Sequence, residues 1–431
     1  MPLFDSTALN PGVRPREVVA WAGYDFANSG YTTVVLTAVF NAYFTGVVFA
    51  DPERATFAWT LILGISNALV MVAMPVVGAY ADLRARKRRL LALSTVGCVL
   101  ATAALAAVGP GDVALAAIAI VVSNFFFMTG VALIAAFLPE LARPAALGKV
   151  SGWGWGFGYI GGLITLGLCL AYVQWAQGRG AEPQQFVPVT MLITALVFAV
   201  AASPALVILR ERATPQRGAR VGHVVSQTLA RLLHTLKNIR RYRDFGWLLL
   251  CAMFYQAGVM VVIALAAIYA QEVMKFSFAQ TMLLVLAVNV TAAIGAFGFG
   301  YVQDAVGHKL ALALTLLLWL AMVTIAALAT SAAWFWVAAN LAGLAMGSSQ
   351  SAGRAMAGLF APRDRLAEFY GLWTFASQFA AIIGPLAYGT VHLIGGDHRL
   401  GIAATGLFFV AGLLVLTGID VARGRRAAEA G

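Results

Sequence analysis

Apolar residues run along this chain in blocks of about 20, long enough to cross the hydrocarbon of a bilayer, parted by short polar segments. Twelve blocks stand out: 18–49, 56–81, 90–109, 113–138, 150–175, 186–209, 246–273, 280–303, 310–330, 333–360, 367–393 and 400–421. None shows the alternation of a half-buried strand, and glycine interrupts many of them. A helix satisfies its own backbone hydrogen bonds where lipid offers none. The pattern predicts an all-α integral membrane protein of twelve transmembrane helices, with both termini on one side.

The polar segments between the blocks differ in length and charge. The longest, 210–245, divides the spans six and six, which predicts an N-terminal bundle over 1–209, a basic cytoplasmic linker over 210–245 and a C-terminal bundle over 246–431. From about Val224 to Tyr242 the linker has helical apolar spacing and a basic face. That spacing predicts an amphipathic helix on the inner leaflet rather than a partner-binding switch. Segments on the side of the termini carry 24 of the 29 Lys and Arg residues, whereas the opposite loops hold only Arg54, Arg179, Lys275 and Arg399. Basic residues stay on the cytoplasmic side of a membrane, so both termini are expected there, with a bacterial inner membrane as the setting. The first 17 residues predict no removable signal peptide, leaving the first span as insertion signal.

The two halves echo one another. Gly78 and Asp82 in "GAYADLRARKRR" recur as Gly300 and Asp304 in "GYVQDAVGHK", each pair at the terminal-side end of its half's second span. Gly161 in the fifth span and Gly384 in the eleventh are likewise equivalent. Two pseudo-symmetric six-helix bundles around a central cavity are the architecture this repetition predicts.

Composition sharpens this picture. Hydrophobic residues make up 61% of the chain and charged residues 11%, far from the mix of soluble domains. The +11 net charge follows from the loop bias, and no aromatic and basic surface accompanies it, which excludes nucleic acid as a partner. Cys98, Cys169 and Cys251 lie in apolar spans, so no disulfide framework is implied. The five histidines have no metal-ligand spacing and no phosphate-binding glycine loop is present. No metal, cofactor or enzymatic activity is therefore expected.

Against this apolar background the few polar residues inside spans are conspicuous. Asp25 and Asn28 share one face of the first helix, with Asp25 roughly 10 Å along it. A charge at the centre of a span costs about 2.5–3.5 kcal/mol, so Asp25 should face a cavity or a partner, or else serve as a hydrogen-bonding group at a helix end. Arg354 in "GSSQSAGRAMAG" supplies a cation in the other half, with Gln350 one turn earlier. It is read either as snorkelling from a packing seam or as a binding or gating group. Its counter-ion would be a solute carboxylate or phosphate, Asp25 or Glu140. In "GKVSGWGWGFGYIGG" glycines four apart strip two helix faces for close packing, while any of Trp153, Trp155 and Tyr159 could face a cavity.

Several motifs in order make the chain similar to the major facilitator superfamily, over essentially its full length. More narrowly it resembles the branch of autophagy-linked vacuolar amino-acid effluxers and their bacterial relatives. The residues concerned are Tyr24-Asp25-x-Ala27-Asn28-Ser29, "NFFF" from Asn124, "FLPELA" from Phe137, "SGWGWGFGYIGG" from Ser151, and "GSSQSAGR", "EFYGLW" and "GP" between Gly347 and Pro385. Two places depart from that branch: relatives often have an acidic residue just before a glycine early in span 7, where this chain reads Tyr255-Gln256-Ala257-Gly258, and Gln378 stands where a lysine is common.

The resemblance implies a substrate or coupling set drawn from Tyr24, Asp25, Asn28, Asn124, Trp155, Tyr159, Tyr255, Gln256, Gln350, Arg354, Trp373 and Gln378. It also implies a cytoplasmic gate from Gly78, Asp82, Arg86, Lys87, Glu140, Arg143, Gly300, Asp304, Lys309 and Glu368, in which an aspartate accepts N–H groups at a facing helix start. A solvated basic loop is the plainer reading of those charges. The function expected is secondary transport of a small polar solute, an amino acid or short peptide, by alternating access in a functional monomer among membrane lipids. No cofactor is expected, and a proton would be the coupling ion. A flippase of the same fold, or remotely an embedded transferase, is the alternative.

Overall fold

The computed structural model describes residues 6–212, 241–276, 278–395 and 398–430, and every regular element among them is helical. The expected amphipathic helix of the linker, and the linker itself apart from its two ends, lie outside the described residues. The long helices are α1 (Pro15–Val48), α2 (Pro52–Arg84), α3 (Lys87–Ala104), α4 (Val113–Ala135), α5 (Leu147–Gln177) and α6 (Pro183–Ile208). They continue as α7 (Arg243–Glu272), α8 (Phe278–Val306), α9 (His308–Leu328), α10 (Ala332–Leu359), α11 (Leu366–Gly395) and α12 (His398–Thr417), and a short α13 (Val421–Glu429) follows. Among the described residues ten of these, α1 to α9 and α12, are long and apolar enough to cross a membrane. Several run a turn past the apolar block that predicts them, because a helical ladder does not end where hydrocarbon gives way to headgroups.

Sequence explains the helix starts and one irregularity. Pro15 occupies the first turn of α1, where its missing N–H costs nothing, and Glu17 accepts the Arg14 N–H at 3.1 Å. Further along, α1 widens into π-helical turns at Thr32–Ala38 and Phe44–Val48. Thr37 Oγ1 donates to the Thr32 carbonyl at 3.0 Å within the first of these. Such turns interrupt the regular ladder and often mark functional segments.

The burial pattern is that of a protein in lipid. On α2 the large residues Phe57, Leu61, Ile65, Leu69 and Val72 form an exposed stripe, and Leu192, Leu196 and Val200 do the same on α6. Glu17, Asp25, Asp82, Lys87, Arg354 and Glu368 are buried instead. Charge inside and hydrocarbon outside reverses the arrangement of a soluble helical domain.

Packing repeats with a shift of six helices. In the first half α1 lies against α5 and α6, α4 against α2 and α3, and α3 against α6; in the second half α7 lies against α11 and α12, α10 against α8 and α9, and α9 against α12. Between the halves, α5 packs on α8 and α10, and α2 packs on α11. Glycine makes the α5 contacts close. A side chain at Gly152 or Gly156 would run into Ala296 or Phe297 of α8, and one at Gly158, Gly161 or Gly162 into Ser29, Phe26 or Thr33 of α1. The two stripped faces of α5 thus meet different halves of the chain.

Each half is also fastened to itself on the side of the termini. Arg212, just past α6, holds Glu17 of α1 through its Nη2 at 2.8 and 3.1 Å. Arg423 in α13 holds Asp244 of α7 at 2.7 and 2.8 Å.

Candidate functional site

Two charges that are costly in a membrane meet between the two halves. Arg354, near the end of α10, donates from Nη1 to Asp25 Oδ2 of α1 at 2.6 Å. Its Nε donates to Ser151 Oγ at 3.1 Å and its Nη2 to the Ser151 carbonyl at 2.8 Å, both on α5. Asp25 is only 8% and Arg354 only 6% exposed, so the pair is nearly dry. The guanidinium lies 4.7 Å from the centre of the Trp21 ring and 5.4 Å from that of Trp155. Carboxylate, hydroxyl, carbonyl and two ring faces together replace the water that a buried guanidinium loses.

Neighbouring residues fix this geometry. Ser151 Oγ also donates to the Ser351 carbonyl at 2.9 Å, and Tyr370 OH donates to the Arg354 carbonyl at 2.8 Å. Gly154 leaves the space the pair occupies, since a methyl there would overlap Asp25 Oδ2, Arg354 Nη2 and Trp21. The pair therefore joins α1 and α5 of the first half to α10 of the second.

Farther from the termini, one helical turn beyond the pair, stand polar and aromatic groups from both halves. Gln256 of α7 and Gln350 of α10 exchange amide hydrogen bonds at 2.9 and 3.0 Å. Trp155 and Tyr159 lie 5.9 Å apart, centre to centre, and Tyr159 packs on Ala292, Ala293 and Ala296 of α8. Tyr255 and Trp373 flank Gly353, where a methyl would strike both. Asn28 Oδ1, Trp155 Nε1 and Tyr255 OH are buried and have no hydrogen-bond partner among the described residues. An unmade bond of this kind costs about 1–3 kcal/mol, so each is a donor or acceptor held ready at some expense. Gln378 is buried on α11 about one turn beyond Trp373.

Two residues expected in this group lie elsewhere. Tyr24 points away from Asp25, its hydroxyl 2.9 Å from Thr95 Oγ1 and its ring edge-on to Phe198, inside the first half. Asn124 donates to Ser66 Oγ at 2.8 Å and to Asn67 Oδ1 at 3.4 Å, tying α4 to α2. Adjacent positions on a helix face about 100° apart, so Tyr24 and Asp25 cannot share one side.

On the side of the termini the halves meet through two related contacts. Asp82 of α2 accepts the Glu368 N–H at the start of α11 at 2.8 Å. Asp304 of α8 accepts the Gly148 and Lys149 N–H groups at the start of α5, both at 3.0 Å. In each case a carboxylate caps a helix whose first N–H groups have no intrahelical partner and whose dipole is positive there. Gly78 permits the first contact, because a methyl would run into the Ala367 carbonyl, and Gly300 permits the second less tightly, a methyl there meeting the Gly148 carbonyl at 2.8 Å.

The basic run after Asp82 splits in two. Arg86 is exposed, but Lys87 is wholly buried, paired with Glu140 and set 5.1 Å from the centre of the Phe137 ring. Arg143 donates to the Leu9 carbonyl at 2.8 Å, and Lys309 to the Thr417 and Ile419 carbonyls at 2.9 and 2.7 Å. Glu368 contributes its backbone to Asp82, with its side chain buried. Sequence reasoning missed Ser151, Trp21, Tyr370 and the N–H groups of Gly148 and Lys149. Ser151 and Tyr370 sit in the quoted motifs, and Trp21 one turn before Asp25, which was the available signal.

Comparison with known proteins places this helical membrane protein among the transporters of the major facilitator superfamily, which are not enzymes. The vacuole effluxer Atg22-like family matches residues 47–149 and 145–429, and the chain belongs to it. It is 25% identical over 404 residues to the MFS-type transporter YxiO of Bacillus subtilis (strain 168), covering 92% of this chain and 93% of that protein. It is 22% identical over 419 residues to autophagy-related protein 22 of Kluyveromyces lactis, covering 90% of this chain and 83% of that one. Among solved structures, the human organic anion transporter MFSD10 superposes with a TM-score of 0.72 at 15% identity, covering 94% of this chain and all of that one.

Proposed function

We propose that this protein is a twelve-span secondary active transporter that moves a small polar organic solute, an amino acid or short peptide, across a bacterial inner membrane by alternating access, with proton coupling through Asp25. The six-helix halves act as two bodies, and both termini face the cytoplasm. The repeat of helix contacts after six helices supports the two bodies, and the basic bias of the terminal-side loops supports the orientation.

The observation that carries this reading is the Asp25–Arg354 pair. It joins α1 and α5 to α10 about one helical turn inward of the Asp304 cap, with the Asp82 cap on the same side. The cytoplasmic side is closed in this arrangement, which leaves the wall of Asn28, Trp155, Gln350 and Trp373 to be approached from the other side. Protonation of Asp25 removes its charge from Arg354 and loosens the tie between the halves. A solute group that takes the vacated Arg354 then travels with that proton. The state that opens inward requires the caps to break as well, and a difference of a few kcal/mol between states is enough to make both accessible.

The test is a thermal-shift screen of the purified protein against amino acids, peptides, nucleosides and organic acids, followed by uptake into proteoliposomes with and without a pH gradient. The reading requires at least one stabilising solute whose uptake responds to the gradient. Stabilisation by neither amino acids nor peptides, or uptake indifferent to the gradient, counts against it.

A further inference from the structure

We propose that a groove between α9 and α12, at the end of the helices where the termini lie, is a seat for an anionic phospholipid. The groove encloses about 610 Å³ between the start of α9 (His308 to Ala313) and the end of α12 (Leu413 to Thr417), with Val421 of α13 closing one end. It is separate from the Asp25–Arg354 pair, and no residue of it belongs to the polar wall described above. Its lining is almost wholly apolar, and it opens where Leu310 and Leu414 are 53% and 67% exposed. In an integral membrane protein that surface faces lipid, so hydrocarbon is the occupant that loses nothing on entering it.

The groove runs along α9 for six residues, about 9 Å of helix, starting at the helix end. That depth suits the glycerol and first methylenes of a lipid rather than a whole chain. At its mouth stands Lys309, an ammonium with three donors, two of which go to the Thr417 and Ile419 carbonyls. The third is available to a phosphate. Of the arginines that follow Val421 on α13, Arg423 is held by Asp244 and Arg425 by Glu429, so Lys309 is the cation that the groove itself offers. A lysine at the mouth of an apolar cleft at the bilayer surface favours an anionic headgroup over a zwitterionic one. The seat adjoins the loop after Asp304, where Gln303 and His308 are 2.8 Å apart, so an occupant would brace the helix end that caps α5.

Native mass spectrometry of the full chain in detergent tests this, using phosphatidylglycerol and phosphatidylcholine of identical acyl chains and glycerol phosphate as the headgroup alone. Wild-type protein should retain phosphatidylglycerol about fivefold better than phosphatidylcholine, the effect of one basic residue near an anionic surface. Lys309→Gln should reduce that preference to none, and Lys309→Arg should keep it. Ala313→Trp, which fills the groove and leaves Lys309 in place, should lower retention of both lipids, while Leu100→Trp on the exposed face of α3 should not. Equal retention of the two lipids by wild type, or undiminished retention in Ala313→Trp, overturns the proposal. Displacement of the lipid by glycerol phosphate alone also overturns it, since it would leave a phosphate site with no role for the groove.

Discussion

Arg354 Nη1 and Asp25 Oδ2 stand 2.6 Å apart although 329 positions separate them in the chain. Removing one partner leaves the other charge buried and alone, at a cost of about 3–5 kcal/mol. Arg354→Gln should therefore lower the thermal midpoint sharply, and adding Asp25→Asn to it should recover most of the loss. A double variant no more stable than Arg354→Gln would mean that the pair contributes no mutual stabilisation.

The caps at Asp82 and Asp304 join the halves on the side of the termini, and in the proposed transport cycle they hold that side closed. Asp82→Asn removes a charge that complements the start of α11, worth about 0.3–2 kcal/mol, and should shift the balance toward opening on that side. The measurement is maleimide labelling of a cysteine placed at Ala357, a position buried near the end of α10, with the three native cysteines replaced by alanine. Labelling should rise several-fold with Asp82→Asn and likewise with Asp304→Asn.

Gly154 is the spacer of the central pair. Gly154→Ala inserts a methyl where Asp25, Arg354 and Trp21 already meet, and overpacking of this kind costs about 1–3 kcal/mol. Helical content by circular dichroism should be unchanged while solute-induced stabilisation is lost. Gly167→Ala, on a part of α5 with nothing close by, is the matched control and should leave both unchanged.

Lys87 and Glu140 form the second buried pair. Glu140→Gln leaves the lysine charge without its partner and should destabilise the protein by about 3–5 kcal/mol, read as a drop in thermal midpoint. The neighbouring Arg86→Gln, on an exposed side chain, should move it little.

What the sequence revealed divides along physical lines. Helices and the close approach of α5 to its neighbours were legible because membrane burial demands long apolar runs and glycine faces, and both are local patterns. Asp25 and Arg354 were legible as individually expensive residues. Their pairing was not, because Glu140 was an equally good counter-ion on paper and only the packing of α1 against α5 and α10 decides between them. Lys87 was hidden in a run of five basic residues, where composition points to solvent and helix rotation alone turns one inward. The π-helical turns of α1 follow from backbone registration that no residue type announces.

The central claim is that Asp25, held by Arg354, carries the coupling proton. The most direct measurement is solute movement in proteoliposomes of wild type and Asp25→Asn, driven either by a pH gradient or by a solute counter-gradient. The account predicts that the variant loses gradient-driven accumulation and keeps counterflow exchange. Accumulation by Asp25→Asn that still follows the pH gradient would contradict it.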